Sequence, residues 1–158
     1  MPEWLAYEVH YQSDQLEVLI LPKFNALMLN HLGEASEEEY KSAVLSLLTL
    51  QRDYPWKISI SNELHLRQVP FGVKVWMGTR FLFMPSTKEL FRRNEEFIIL
   101  SANSKSGNLV SKAVHTLISQ FSGKQLTEIY SMDELLTYLD GRLSDSKEQV
   151  DTPRENLK

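Results

Sequence analysis

The order in which strand-like and helix-like segments follow one another most restricts the folds open to this chain. Residues 7–11, 16–21 and 26–32 have strand patterns, and the turn-like residues 22–25 join the second and third of these as an antiparallel hairpin. Helix and strand patterns alternate after that point. A strand, a helix and a second strand normally form a right-handed parallel crossover. The order therefore predicts an α/β domain whose mixed sheet begins with an antiparallel hairpin and continues with parallel strands and crossover helices.

Two helix starts carry a capping box, in which a Ser hydroxyl and a Glu carboxylate three residues later accept hydrogen bonds from free backbone N–H groups. Ser36 with Glu39 predicts the first helix, whose apolar residues recur at helical spacing until Pro55 ends it. Ser131 with Glu134 predicts the last helix in the same way.

Proline and glycine limit the two helices that lie between these. Pro70 suits the first turn of a second helix, which must end before Pro85 because the residue before a proline disfavours helical backbone. An apolar stripe over 109–121 predicts a third helix, and Gly123 suits the left-handed position after it. The remaining strand patterns lie at 57–61, 97–100 and 126–130. The second of these is continuously apolar, which is typical of a central strand covered on both faces.

The length of 158 residues fits one domain with one hydrophobic core. We assign residues 1–143 to that domain and expect the polar residues 144–158 to form a disordered tail. The first residues lack the basic patch and apolar run of a secretory signal, and no stretch is apolar enough to span a membrane. Since the chain also has no cysteine, we expect a cytoplasmic protein without disulfides or thiol nucleophiles.

The charge balance argues against a nucleic-acid partner. The chain has 17 basic and 21 acidic residues, a net charge of −4, whereas non-specific nucleic-acid binding depends on neutralising phosphates with Lys and Arg. Metal and catalytic motifs are also missing. No serine lies in a nucleophile-elbow motif, and the four histidines lack ligand-pair spacing, so we expect no cofactor, no metal and no catalytic residue. His31 is expected to pack on a strand face. The histidines are His10, His31, His65 and His115.

Several short segments resemble the STAS or SpoIIAA-like proteins, named for the anti-sigma-factor antagonists, and in particular their small bacterial members. The segments are His31-Leu32-Gly33, Ser36-Glu37-Glu38-Glu39-Tyr40-Lys41, Ile58-Ser59-Ile60-Ser61-Asn62, Trp76 and Tyr130-Ser131-Met132-Asp133-Glu134-Leu135-Leu136. The similarity covers about residues 7 to 142. It implies the SpoIIAA-like fold and a tendency to bind partner proteins.

One feature of the antagonists is missing here. At the end of their third strand they carry a Ser or Thr that a partner kinase phosphorylates, and the added charge changes binding. The corresponding residues of this chain, 62–70, include no hydroxyl side chain. We therefore expect an interaction module without the phosphorylation switch.

The segment 76–84 is unusually rich in large apolar and aromatic side chains, and a single helix cannot bury every face of such a segment against one sheet. We predict that part of it stays exposed as an interaction surface. The predicted surface residues are Trp76, Arg80, Phe81, Phe83 and Met84. Near Arg80, the basic residues Lys88, Arg92 and Arg93 suit either an acidic partner or lipid headgroup, or an ordinary solvated face.

A second candidate site follows the apolar strand 97–100. The Ser- and Gly-rich residues 104–108 precede a predicted helix, whose first N–H groups can hold an anion. Lys105, Ser106 and Gly107 would form this anion site, and an ordinary capped turn is the alternative.

Two functions of different classes fit these observations. The first is a non-enzymatic interaction module that forms homodimers or binds another bacterial protein. The second is a carrier of a small apolar or lipid-like ligand, held beneath the second helix with its anionic group near Arg80 or Lys105. An enzyme whose active site no linear motif reveals is a third, weaker alternative. A flat exposed aromatic patch would favour the module, and a closed apolar cavity with a polar mouth would favour the carrier or an enzyme.

Overall fold

A computed structural model describes residues 5–101, 116, 118–120, 122–124 and 126–148 of the chain. The described residues form one six-stranded sheet whose strands lie side by side in chain order. The strands are β1 (Glu8–Gln12), β2 (Leu16–Leu21), β3 (Ala26–His31), β4 (Ile58–Asn62), β5 (Glu96–Leu100) and β6 (Leu126–Ile129). The pairs β1–β2 and β2–β3 are antiparallel, and the pairs from β3 to β6 are parallel. The predicted mixed α/β sheet is confirmed.

Four helices are described over their full length: α1 (Glu37–Asp53), α2 (Phe71–Thr79), α3 (Pro85–Arg93) and α4 (Met132–Glu148). Short 3-10 turns occupy Pro22–Phe24, inside the predicted hairpin break, and Phe81–Phe83, which we call the 81–83 turn. Residues 116, 118–120 and 122 are helical, as the stripe over 109–121 predicts, and Gly123 has the expected left-handed backbone with φ of 68°. None of the described helices is long and apolar enough to cross a bilayer.

The predicted capping box is complete at Ser36, whereas at Ser131 only the serine half of the box is formed. Ser36 Oγ accepts from the N–H of Glu39 at 3.2 Å, and the Glu39 carboxylate accepts from the N–H of Ser36 at 2.8 Å. At the last helix, Ser131 Oγ accepts from the N–H of Glu134 at 3.1 Å, and the Glu134 carboxylate accepts from the N–H of Tyr130 at 3.0 Å. These contacts satisfy N–H groups that a helix start leaves free.

The sheet has an apolar core on each face. On one face, alternate strand residues such as Val18, Leu27 and Phe97 pack under α1, α2, the 81–83 turn and α3. On the other, Met28, Ile60 and Ile98 lie side by side in register and pack under α4. Every residue of β5 is buried between β4 and β6, so the prediction of a central strand is confirmed.

A polar contact attaches α4 to the edge of its core. The hydroxyl of Tyr138 donates to Glu96 Oε1, and the hydroxyl of Thr127 donates to the same oxygen at 2.9 Å. Arg142 Nε lies 3.4 Å from Glu96 Oε2. Burial, followed by the hydrogen bond to Glu96, raises the pKa of Tyr138. The helix is thereby held at the start of β5.

The region between β4 and β5 differs from its prediction. One helix was expected between Pro70 and Pro85, but α2 ends at Thr79, the 81–83 turn follows, and a further helix, α3, begins at Pro85 itself. Pro85 therefore starts a helix, as its fixed φ and missing N–H allow at a first helical position. Met84 before it is extended, with ψ of 137°, which is the conformation that a following proline favours.

The end of the domain also extends further than expected. Helix α4 continues to Glu148, past the predicted start of a disordered tail at Ser144. The rest of the predicted tail, 149–158, lies outside the described residues.

Candidate functional site

Helix α2 has one buried and one exposed apolar face. Val73 and Met77, four residues apart, point into the core over the sheet. Phe71 and Val75 have the same spacing on the opposite face and are 77% and 46% exposed. Residues four apart lie one above the other on a helix, so Phe71 and Val75 form a continuous apolar stripe that faces solvent.

Helix α1 holds α2 in this orientation. The Glu37 carboxylate lies against the first turn of α2, so close that a Cβ added to Gly72 would stand 1.9 Å from Glu37 Oε2. A carboxylate is stabilised there because a helix start carries a partial positive charge. Lys41 pairs with Glu37 at 2.5 Å and lies 5.9 Å from the centre of the Trp76 ring. These contacts join α1 to α2, and the burial of Val73 and Met77 leaves the side with Phe71 and Val75 facing solvent.

The 81–83 turn separates two neighbouring phenylalanines. Phe81 is 3% exposed and its ring stacks at 5.3 Å on that of Trp76, while Phe83 is 54% exposed. Of the five predicted surface residues, Arg80 and Phe83 are exposed, Trp76 and Met84 are half-buried, and Phe81 belongs to the core. The assignment of Phe81 to an exposed surface is therefore wrong, because the turn directs its ring inwards. We call Phe71, Val75, Arg80 and Phe83 together the α2 surface.

Basic side chains accompany the α2 surface. Lys74, Arg80 and Lys88 form no ion pair within the part of the chain that the structure describes. Arg92 and Arg93, by contrast, both bind the Glu89 carboxylate, at 2.7 and 2.6 Å. Hydrogen bonds from Arg92 and then Arg93 lower the pKa of Glu89 to about 2. Of the predicted basic concentration, Arg80 and Lys88 thus remain available to a partner.

A small apolar cavity lies beneath α2. It has a volume of about 130 Å³ and is bounded by the sheet, α1, α2, the 81–83 turn and α3. Its wall includes Leu29, Val44, Met77, Phe81, Phe91 and Phe97. Polar groups on the wall already have partners: Ser59 Oγ accepts from Trp56 Nε1 at 2.9 Å and donates to Asn94 at 2.6 Å. An apolar cavity of about 150 Å³ holds a molecule the size of benzene, whereas typical ligand sites measure about 300–1,000 Å³.

A larger cleft lies at the carboxyl ends of β3 and β4, where open α/β sheets commonly bind ligands. It measures about 560 Å³ and is lined by three loops. Gln15 comes from the turn between β1 and β2, residues 32–34 follow β3, and residues 64–67 follow β4. Its charged and titratable groups are Glu34, His65 and Arg67, which are all exposed. The charged and titratable groups that the structure describes on its wall are therefore not buried in the way that catalytic groups commonly are.

His31 has the packing role that the sequence suggested. It is fully buried at the end of β3, and its Nδ1 lies 2.7 Å from the carbonyl oxygen of Asn62 and its Nε2 lies 2.6 Å from the hydroxyl of Tyr40. A carbonyl oxygen only accepts, so Nδ1–H donates to Asn62. Burial raises the pKa of Tyr40, which keeps its hydroxyl as a donor to Nε2. The imidazole therefore joins β3, β4 and α1.

Two further predictions concern bound ions. Lys105, Ser106 and Gly107, the predicted anion site, lie outside the described residues, as does His115. Among the residues that the structure describes, no group of three His, Asp or Glu side chains is arranged to hold a metal ion.

The sequence did not identify Phe71 and Val75 as surface residues, although it contains a signal for them. Val73 and Met77, four residues apart in the sequence, define the inner face of the helix. Phe71 and Val75 lie on the opposite side of the same helix. An apolar pair on the side away from the core was therefore the available signal.

Comparison with known proteins finds no matching family model, no matching curated protein and no matching solved structure.

Proposed function

We propose that this chain is a non-enzymatic protein-interaction module of the STAS or SpoIIAA-like kind, and that the α2 surface is where it contacts its partner. The observation that carries the proposal is the exposed apolar pair Phe71 and Val75 on α2, with Phe83 exposed nearby along the chain. Exposed apolar groups that occur together mark interaction sites more often than single ones do.

The exposed side chains can supply substantial binding energy. Full burial of a Phe side chain is worth about 1.5–3 kcal/mol. Because 77% of Phe71 is still exposed, covering it makes about 2 kcal/mol available, and Phe83, at 54%, adds about 1 kcal/mol. Aromatic side chains of this kind are frequent hot spots of protein interfaces. Because Val73 and Met77 already pack α2 onto the core, the helix does not need to be ordered on binding.

The test is recovery of a protein partner from an extract of the native cells. The tagged chain is compared with the variants Phe71→Asp and Phe83→Asp and with the control Tyr7→Asp. Tyr7 is an exposed aromatic residue before β1, 43% exposed, and lies outside the α2 surface. We expect a stoichiometric partner that both α2-surface variants lose and the control retains. Equal recovery by all four proteins would contradict the proposal.

Self-association and a cytoplasmic location belong to the same proposal. The support for the location is the absence of cysteine in the sequence. The missing hydroxyl residues in 62–70 support a module whose binding does not depend on phosphorylation at that loop.

The carrier function is a second candidate, favoured by the cavity of about 130 Å³ beneath α2. Arg80 is exposed and does not line the cavity, so it is not placed to bind the anionic group of a ligand held there. The cavity fits a small apolar molecule without such a group. Native mass spectrometry of the purified protein tests this: a retained small molecule favours the carrier, and a bare chain favours the interaction module.

A further inference from the structure

Positive charge is concentrated in the part of the chain that holds the α2 surface. Residues 64–94 contain six basic residues and one acidic residue, a net charge of +5. The rest of the chain, with 11 basic and 20 acidic residues, carries −9. The segment therefore has the opposite net charge to the rest of the sequence, although Arg92 and Arg93 pair with Glu89 and Arg67 lines the cleft after β4.

The unpaired cations of this segment belong to the same elements as the exposed apolar side chains. Lys74 lies on α2 beside the stripe of Phe71 and Val75, and Arg80 immediately precedes the 81–83 turn. Lys88 follows on α3. None of the three cations has an ion-pair partner among the described side chains. We call Lys74, Arg80 and Lys88 together the basic rim; with the apolar stripe on the same run of elements, they suit a partner that is both apolar and acidic.

We propose that the α2 surface docks an acidic segment of a different protein, whose apolar side chains cover Phe71 and Val75 while its carboxylates face Lys74 and Arg80. This inference rests on the proposed function and specifies the chemistry of the partner. The basic rim selects a partner of negative charge and speeds its association, and the apolar contacts slow the dissociation of the complex.

The same charges disfavour the two other occupants of such a surface. A symmetric dimer through this face would place each basic rim against its own copy, because an isologous interface pairs a patch with itself. An anionic membrane would attract the rim but repel the rest of the chain, which carries −9. A docking segment covers only this face, where the nearby Glu37 carboxylate is already paired with Lys41.

Selection from a random peptide library displayed on phage tests the inference. The full chain is the target, and the variant Phe71→Asp is used for counter-selection. Because position 71 is 77% exposed, Asp there removes little core packing and the variant is expected to fold. We expect the selected peptides to combine Asp and Glu with aromatic or aliphatic anchors. Selected peptides that are neutral or basic would overturn the inference but would still support the proposed interaction surface.

The affinity of a selected peptide is then measured with charge-reversal variants. Lys74→Glu and Arg80→Glu are each expected to weaken binding about fivefold to tenfold, whereas Arg52→Glu, at an exposed position on α1, is expected to leave it unchanged. Raising the salt concentration from about 0.05 M to about 0.5 M is expected to weaken binding of the peptide to the unaltered chain, because salt screens the attraction between exposed charges. Equal affinity for all three variants would contradict the assignment of the rim.

Two controls separate the alternatives. Binding of the chain to vesicles of phosphatidylserine and phosphatidylcholine that is lost in Phe71→Asp would identify a membrane as the occupant and overturn the inference. A dimer in analytical ultracentrifugation that Phe71→Asp dissociates would identify a second copy and overturn it as well. If no peptide distinguishes the chain from the Phe71→Asp variant, the selection contradicts the proposed function itself.

Discussion

Two phenylalanines two positions apart, Phe81 and Phe83, are expected to respond very differently to the same substitution. Phe81 is 3% exposed, stacks on Trp76 and lines the cavity beneath α2, so Phe81→Ala removes a buried ring and enlarges a space already present. Such substitutions cost about 3–5 kcal/mol. Phe83 is 54% exposed, so only about half of its side chain is buried in the folded chain. Phe83→Ala is therefore expected to lower the free energy of unfolding by about 1 kcal/mol or less.

Equilibrium unfolding in urea measures both free energies, and thermal unfolding gives an independent value. For a chain of this length each kcal/mol lowers Tm by about 2–4 °C, so Phe81→Ala is expected to lower Tm by at least about 6 °C and Phe83→Ala by about 2–4 °C. Circular dichroism at low temperature verifies that both variants are folded. Equal losses of stability, or a larger loss for Phe83→Ala, would refute the inward orientation of Phe81 and with it the described α2 surface.

Three further predictions concern polar contacts. Tyr40→Phe leaves the buried Nε2 of His31 without its donor and is expected to lower the free energy of unfolding by about 1–3 kcal/mol, measured in urea; a change within experimental error would contradict the contact. Glu89 has a lowered pKa of about 2, so its contribution to stability is complete above the usual value of 4.5 and is lost as pH falls towards 2; Glu89→Gln is expected to flatten unfolding free energy against pH in this range, and an unchanged profile would argue against the pairing. The effect of Gly72→Ala on the free energy of unfolding, measured in urea, is expected to be about 0.5–1 kcal/mol more favourable in a Glu37→Ala background than in the unaltered chain, because the added Cβ then meets no carboxylate. Additive effects of the two substitutions would contradict the contact between Glu37 and the first turn of α2.

Local sequence signals predicted most of the secondary structure. The strand 16–21 has the predicted bounds, and the Ser36 capping box fixes the start of α1 because both partners of the box lie within one helical turn. Gly123 marks a left-handed position for an equally local reason. Such features depend on neighbouring residues alone, so a single sequence contains the information for them.

The candidate site was harder to predict because it depends on packing between distant elements. Pro85 is compatible both with ending a helix before it and with starting one at it, and the sequence alone does not decide between these. Phe81 and Phe83 are the same residue type two positions apart, and only the turn between α2 and α3 decides which ring enters the core. The exposure of Phe71 likewise results from the orientation that α1 imposes on α2.

The central claim is that the α2 surface contacts a partner protein, and site-specific photo-crosslinking in the native cells tests it most directly. A photoreactive phenylalanine analogue replaces Phe71 in one variant and, as matched exposed aromatic controls, Tyr7 or Tyr130 in two others. If the α2 surface contacts a partner, we expect a discrete crosslink to another protein from position 71 and none from positions 7 and 130. Crosslinks from the control positions with none from position 71 would contradict this claim, whereas crosslinks from position 71 only to a second copy of this chain would contradict the acidic partner inferred above.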